Sequence, residues 1–255
     1  MKGKSRIKAL REEFLWGMGV PDQKTFRPDQ FQLEAIESLK SGVDTLVIAP
    51  TGAGKTYIAV EAMREICALK RRACYTAPLK ALSNSKYTEF KRKFEPEYSV
   101  GLLTGDRKID GDADIVIATT EIYRNELYSY AENYGLVILD ELHYLSDPQR
   151  GPVWEESIIL SPLSATLLML SASISNPEEV AEWIETIRQR PVRIIRVKER
   201  PVELRLGFLH PELGVVPIAD EDGRIIEEVQ HYYSGTSEFR PGFRKGRKRR
   251  GFKGR

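Results

Sequence analysis

Two short clusters in this chain have residue types suited to chemistry on a charged substrate. The first is TLVIAPTGAGKT, residues 45–56, in which the loop Pro50-Thr51-Gly52-Ala53-Gly54 leads into Lys55 and Thr56. Backbone N–H groups of such a loop, with those of a first helical turn, converge on one point where the helix dipole also favours an anion. Lys55 adds a full charge that can reach the β- and γ-phosphates of a nucleotide, and the Thr56 hydroxyl is placed to hold Mg²⁺. The glycines let backbone approach phosphate without a Cβ in the way. The spacing follows G-x-x-x-x-G-K-[ST], except that Ala49 stands at the first glycine position. The plainer alternative is an ordinary strand–turn–helix. The second cluster is Asp140-Glu141, at the end of the apolar run Leu136-Val137-Ile138-Leu139. Asp140 would hold Mg²⁺ through water, and Glu141 would orient and activate an attacking water. By itself the pair could be two solvated acids after a strand. With the phosphate loop upstream, it reads as the other half of a nucleoside-triphosphate site.

The elements that must carry these residues follow from periodicity. Leu46–Ala49 is too short for a helix and rich in β-branched residues, so it reads as a buried strand. Before it, Phe31, Ala35, Ile36 and Leu39 share one helical face that Ser41-Gly42 closes. After it, strands are expected at 72–77, 98–103, 114–118, 136–139, 167–170 and 192–197. Helices are expected at 79–94, 120–130, 154–160 and 177–188. Such alternation implies an α/β fold with a doubly wound, mostly parallel sheet, whose ligands sit at the carboxyl ends of strands. Ile7, Leu10 and Phe14 mark a short amphipathic helix near the N-terminus, expected to pack on the main domain, with docking to a partner as the lesser alternative. Past Arg200 the pattern changes. RPVELRLGFL and GVVPI read as strands, and Asp222-Gly223 as a turn before RIIEEV. The domains expected are thus an N-terminal helical extension (1–21), a nucleotide-binding domain (22–200), a C-terminal β arm (201–233) and a disordered basic tail (234–255).

Composition bounds the rest. Of 255 residues 41% are apolar, enough for a core, and 30% are charged, above the usual quarter. Residues 240–255 hold nine Lys/Arg and no Asp/Glu, so of a net charge of +2 the preceding residues carry −7. The tail cannot bury enough apolar surface to fold by itself. It would serve either as a charge contact to nucleic acid or as a linker. Cys67 and Cys74 lack metal or redox spacing and read as small core residues in a reducing compartment. The N-terminus has no apolar signal region, and no apolar run of membrane-spanning length exists, so a cytoplasmic protein with no membrane partner is expected.

APTGAGKT, TAPLKALSNSK, LLTGD, ATTEIYRNELY, DELHYLSDPQRGPVWEE, SASISNPEEVAEWI and RPVEL occur in that order. Together they resemble the first motor domain of a superkiller-type (Ski-like) DExH-box helicase of helicase superfamily 2, over roughly residues 22–230. The TTEIYRN and HYLSDPQRGPVWEE segments look like the RNA-processing branch rather than the DNA-repair branch. They also argue against a nuclease or restriction motor subunit, a reading raised because superfamily 2 motors share the other motifs.

The resemblance implies a RecA-like P-loop NTPase domain that uses ATP and Mg²⁺. It implies that Phe26 stacks on adenine, that Gln32 hydrogen-bonds the base edge, and that residues 49–56 hold the phosphates and metal. Pro78, Lys80, Thr104, Gly105, Asp106, Thr119, Thr120 and Glu121 would line a path for RNA, single-stranded or duplex with an overhang, with DNA not excluded. Such groups suit a sugar–phosphate track read without regard to sequence. His143 would couple the nucleotide site to Ser171-Ala172-Ser173, although a lone histidine is more often structural. The family usually has SAT where this chain has SAS, and Ser173 keeps the hydroxyl. Family motors have two RecA-like domains, and one is recognised here. A second domain, in cis or in trans, is therefore an expected partner. A fragment, split gene product or truncated motor is the expected status, with a binding module lacking turnover of its own as the alternative.

Overall fold

A computed structural model describes residues 2–16, 27–129, 134–200, 204–220, 222–227, 229–230 and 232. Phe26 and the basic tail lie outside these residues. The chain divides into two compact units, one of residues 25–202 and one joining residues 1–24 to 203–255.

The larger unit is a single eight-stranded sheet. Its strands are β1 (Asp44–Ile48), β2 (Arg72–Ala77), β3 (Val100–Thr104), β4 (Arg107–Ile109), β5 (Ile115–Thr119), β6 (Tyr134–Leu139), β7 (Thr166–Ser171) and β8 (Val192–Arg196). They lie in the order β4-β3-β5-β2-β6-β7-β1-β8. Every neighbouring pair is parallel except the short edge hairpin β3–β4. The doubly wound, mostly parallel sheet expected from alternation is therefore present. The period of two in each strand builds two cores. Val47, Tyr75, Ile117, Ile138 and Leu168 face one side, while Leu46, Cys74, Val116, Val137 and Leu167 face the other. On the first side pack α2 (Gln30–Lys40), α3 (Lys55–Ala68) and α4 (Lys80–Phe94), through Ala35, Met63 and Phe90. On the second pack α5 (Thr120–Ser129), α6 (Gly151–Leu160) and α7 (Pro177–Arg188), through Tyr123, Trp154 and Ile184. Cys67 and Cys74 are buried in opposite layers, as small core residues.

This winding places the carboxyl ends of seven strands on one edge. Lateral register fixes their order: Leu103 beside Ala118, Thr119 beside Ala77, Thr76 beside Leu139, and Ser171 beside Ile48. The loops after β3, β5 and β2 thus neighbour one another, and those after β6, β7 and β1 continue the row. At the opposite end, the buried Arg188 and Asp44 pair at 2.6 Å and clamp the sheet. Arg188 also donates to the carbonyls of Ser161 and Ala165, and Leu167 N–H donates to Asp44.

In the smaller unit, α1 (Lys2–Leu15) accompanies an antiparallel hairpin of β9 (Gly207–His210) and β10 (Gly214–Pro217). Ile7 is buried with Val216, Ile226 and Val229, and Leu10 packs against them. This corrects the expected seat of the first helix. Its apolar face meets segments from the far end of the chain, a pairing that helical spacing cannot reveal. The arm beyond the Asp222-Gly223 turn also differs. Among the described residues, Ile225 bridges back to Ala219 and Ile226 N–H donates to Ile218 O at 3.1 Å, and the chain is helical at Glu227, Val229, Gln230 and Tyr232. Among the described residues no helix is long and apolar enough to cross a membrane.

Candidate nucleotide and nucleic-acid site

The phosphate loop leaves β1 and enters α3 through two glycines with positive φ, Gly52 at 89° and Gly54 at 82°. At Gly54 a Cβ would stand 2.4 Å from the Gln32 amide nitrogen, so a side chain there would push Gln32 off the loop as well as strain the positive φ. Gln32 is 2% exposed and its side chain is fully engaged. Its Nε2 donates to Ala53 O at 3.1 Å and Gly54 O at 3.3 Å, and its Oε1 accepts from Asp29 N–H at 2.9 Å in a capping box for α2. Lys55 folds back onto the loop, donating to Ala49 O at 2.6 Å and Pro50 O at 3.4 Å. Ala53 is buried beneath the loop, while Thr51 and Gly52 are exposed at its crest.

The carboxylate pair reaches the same place from β6. Burial lowers the pKa of Lys55 from its ordinary value, while the negative fields of Glu141 and Asp140 oppose that shift. Glu141 has left-handed backbone, φ 57° and ψ 45°, which turns the chain sharply off the strand into a 3-10 turn, Leu142–Ser146. A non-glycine residue held in that region is strained by roughly 1–2 kcal/mol, a cost tolerated where a side chain must be aimed. Asp140 Oδ1 accepts from Glu141 N–H at 2.9 Å, and Oδ2 accepts from the Tyr75 hydroxyl. Burial, then the neighbouring Asp140 carboxylate, pushes the Tyr75 phenol well above its ordinary pKa, so it remains a donor. His143 Nδ1 lies 3.2 Å from Glu141 Oε2. The imidazole stacks on Tyr144 at 4.8 Å, and Tyr144 in turn on the buried Trp154 at 5.4 Å.

The segment after β7 joins this site through backbone. Ala49 N–H donates to Ser171 O at 3.1 Å, and Ser171 Oγ donates to Ser173 O at 3.0 Å across Ala172. The 3-10 turn carrying His143 packs against β7.

The remaining sequence-selected residues gather further along the same edge. Pro78 is buried at the end of β2, and Lys80 opens α4. Lys80 Nζ meets Asp106 Oδ1 at 3.1 Å beside Gly105, and Thr104 Oγ1 donates to the same oxygen at 2.9 Å. Those hydrogen bonds, Lys80 first, lower the Asp106 pKa. Thr119 and Thr120 are buried where β5 passes into α5, followed by the half-buried Glu121.

Two side chains at the site escaped the sequence reading. Tyr75 caps Asp140, and Lys86 donates to Thr56 Oγ1 at 3.0 Å. Tyr75 sat inside an apolar strand. Lys86 ends the TAPLKALSNSK motif and pairs with Glu89, one turn on along α4, but neither local feature points to Thr56.

The donor set suits a metal–nucleotide complex. A threonine hydroxyl and one carboxylate, beside a loop whose geometry suits phosphate, match the hard oxygen donors Mg²⁺ takes while keeping several waters.

Comparison with known proteins agrees with this geometry. Residues 29–180 match the DEAD/DEAH box helicase family. The DExH-box ATP-dependent RNA helicase DExH15, chloroplastic, of Arabidopsis thaliana is 45% identical over 207 residues, covering 78% of this chain and 17% of that protein. The antiviral helicase SKI2 of Saccharomyces cerevisiae is 38% identical over 205 residues, covering 79% of this chain and 16% of that protein. The ATP-dependent RNA helicase mtr4 of Schizosaccharomyces pombe is 40% identical over 216 residues, covering 82% and 19%. This chain therefore spans less than 20% of each relative's length. The crystal structure of the DUF1998 helicase MrfA bound to DNA superposes with a TM-score of 0.55 at 20% identity, over 73% of this chain and 29% of that one, a likeness of fold. With a RecA-like sheet, a family match across its larger unit and Ski2-like relatives, this chain belongs to the DEAD/DEAH box helicase family.

Proposed function

We propose that the chain is the ATP-binding half of an RNA-directed helicase motor, in which ATP hydrolysis drives movement along the strand once a second RecA-like domain, in cis or in trans, completes it. The observation that carries this reading is the single row of strand ends. The phosphate loop and Asp140-Glu141 lie at one side, and Lys80, Thr104 and Thr119 lie at the other.

In this reading residues 49–56 hold the triphosphate. Lys55 exchanges its contacts with the Ala49 and Pro50 carbonyls for phosphate oxygens, and a bound polyphosphate then favours its charged form. Thr56 directly and Asp140 through water would hold Mg²⁺, which supplies charge neutralisation on the phosphates. Glu141 orients the attacking water, and His143, fixed by its stack on Tyr144, steadies Glu141. Phe26 and Gln32 are assigned to the adenine side. Pro78, Lys80, Thr104, Gly105, Asp106, Thr119, Thr120 and Glu121 are assigned to the sugar–phosphate track. The buried thiols suit a cytoplasmic setting.

The test separates binding from turnover. Glu141→Gln keeps shape and hydrogen bonding but removes the basic carboxylate. ATP binding should persist, while hydrolysis stimulated by single-stranded RNA, measured with the second domain supplied, falls steeply. Equal loss of binding and rate would make Glu141 a structural residue. Stimulation by DNA of the same sequence but not by RNA would overturn the choice of strand.

A further inference from the structure

Two side chains to which the sequence reading gave no role, Tyr75 and Lys86 (the last residue of TAPLKALSNSK), contact the two residues assigned to the metal. Tyr75 donates to Asp140, and its ring stands edge-on to Phe90 at 5.1 Å. Lys86 Nζ donates to Thr56 Oγ1 at 3.0 Å and to Glu89 Oε2 at 3.0 Å. The same ammonium lies 5.6 Å from the centroid of the Phe90 ring and 6.0 Å from that of Tyr75. It is therefore seated in a pocket of fixed shape, and its side chain is 21% exposed. Both contacts come from one strand–helix unit, β2 and α4. That unit also carries Pro78 and Lys80, under two helical turns before Lys86.

A hydroxyl oxygen binds a divalent cation through a lone pair. An ammonium at hydrogen-bond distance uses the same oxygen and places a second positive charge beside the cation. Outside bulk water, two such charges a few ångströms apart repel strongly. Glu89 changes the outcome of that competition. It already shares the ammonium, so Lys86 can release Thr56 without being left alone in a half-buried site. Lys93 also binds Glu89, at 2.8 Å, and holds the carboxylate in place to receive it.

We infer that Lys86 is a positioning residue that competes with Mg²⁺ for the Thr56 hydroxyl, and that metal loading shifts its ammonium from Thr56 onto Glu89. The inference rests on the reading of residues 49–56 and Asp140 as a Mg²⁺–nucleotide site. Its consequence is a direct link between metal at the nucleotide and the helix that begins with Lys80. The link runs through a single side chain and needs no movement of the phosphate loop.

The experiment is a Mg²⁺ titration of the full chain at fixed fluorescent ADP, with a parallel ADP titration in EDTA. Lys86→Met keeps the apolar stem against Phe90 and removes the charge. It should lower the Mg²⁺ midpoint about ten-fold, the scale of one hydrogen bond to a charged group, and leave ADP affinity in EDTA at the wild-type value. Lys86→Gln should act in the same direction. Glu89→Gln, which removes the receiving carboxylate, should raise the midpoint. A thermal melt of each variant shows that it is folded. A Mg²⁺ midpoint equal to or above wild type in both Lys86 variants overturns the inference. Wild-type protein that binds no ADP at any Mg²⁺ concentration overturns the nucleotide reading as well, so the two failures are distinguishable.

Discussion

Gln32→Ala tests how the phosphate loop is held. The wild-type amide makes three hydrogen bonds while almost wholly buried: to Ala53 O, to Gly54 O and from Asp29 N–H. Each neutral hydrogen bond contributes about 0.5–1.5 kcal/mol net, and a cap contact about 1 kcal/mol. Water can reach part of the truncated site, so the three together should cost roughly 2–3 kcal/mol. For a domain of this size 1 kcal/mol moves Tm by about 2–4 °C, so a fall of roughly 4–12 °C is expected without any nucleotide. The assay is thermal and urea unfolding of wild type and Gln32→Ala, followed by ATP and GTP binding. The expected pattern is a less stable protein that binds both nucleotides more weakly. Unchanged stability with loss of ATP-over-GTP preference would refute this reasoning, because Gln32 would then serve the base alone.

Three further outcomes follow. Arg188→Ala removes the buried close partner of Asp44, which keeps Leu167 N–H and the more distant Arg190 at 3.8 Å, and should cost about 3 kcal/mol in urea unfolding; a loss under about 1 kcal/mol would show that Arg190 or water replaces Arg188. Burial would raise the Glu89 pKa, yet hydrogen bonds from Lys93 and Lys86 hold it below the ordinary value. Such a carboxylate stabilises the fold above its unfolded pKa, and the gain is lost as pH falls through the folded one. The stability excess of wild type over Glu89→Gln should therefore shrink between about pH 7 and about pH 3, and a constant gap would contradict the assignment. Burial, then Asp114, pushes the Cys67 thiol up to about 12, so iodoacetamide at about pH 8 should leave it unmodified until the protein is unfolded.

Much of the sheet was legible because its strands are buried on both faces and read as short apolar runs. Strand β2 and helix α7 have the bounds that periodicity assigns, Arg72–Ala77 and Pro177–Arg188. The edge strand Arg107–Ile109 was missed, since three residues with two exposed charges carry no strand signal. The phosphate loop was legible because it is local: strand, glycine turn, Lys55 and Thr56 are contiguous. By pattern Gln32 lies on a core helix and the resemblance assigned it to the base edge; its bonds to Ala53 and Gly54 were not legible because those residues belong to another element. Tyr75 and Lys86 escaped for the same reason, as their contacts with Asp140 and Thr56 depend on how β2 and α4 are laid against β6 and α3. The seat of α1 on the hairpin is the longest-range case, with Arg11 donating to Val215 O at 3.1 Å.

The central claim is that residues 49–56 hold a nucleoside triphosphate through Lys55. The most direct measurement is unfolding of wild type and Lys55→Ala with and without Mg²⁺ and ATP. At a ligand concentration about 100-fold above Kd, wild type should gain roughly 2.7 kcal/mol, and Lys55→Ala should lose most of that gain. Equal stabilisation of the two proteins, or none in wild type, would contradict the account.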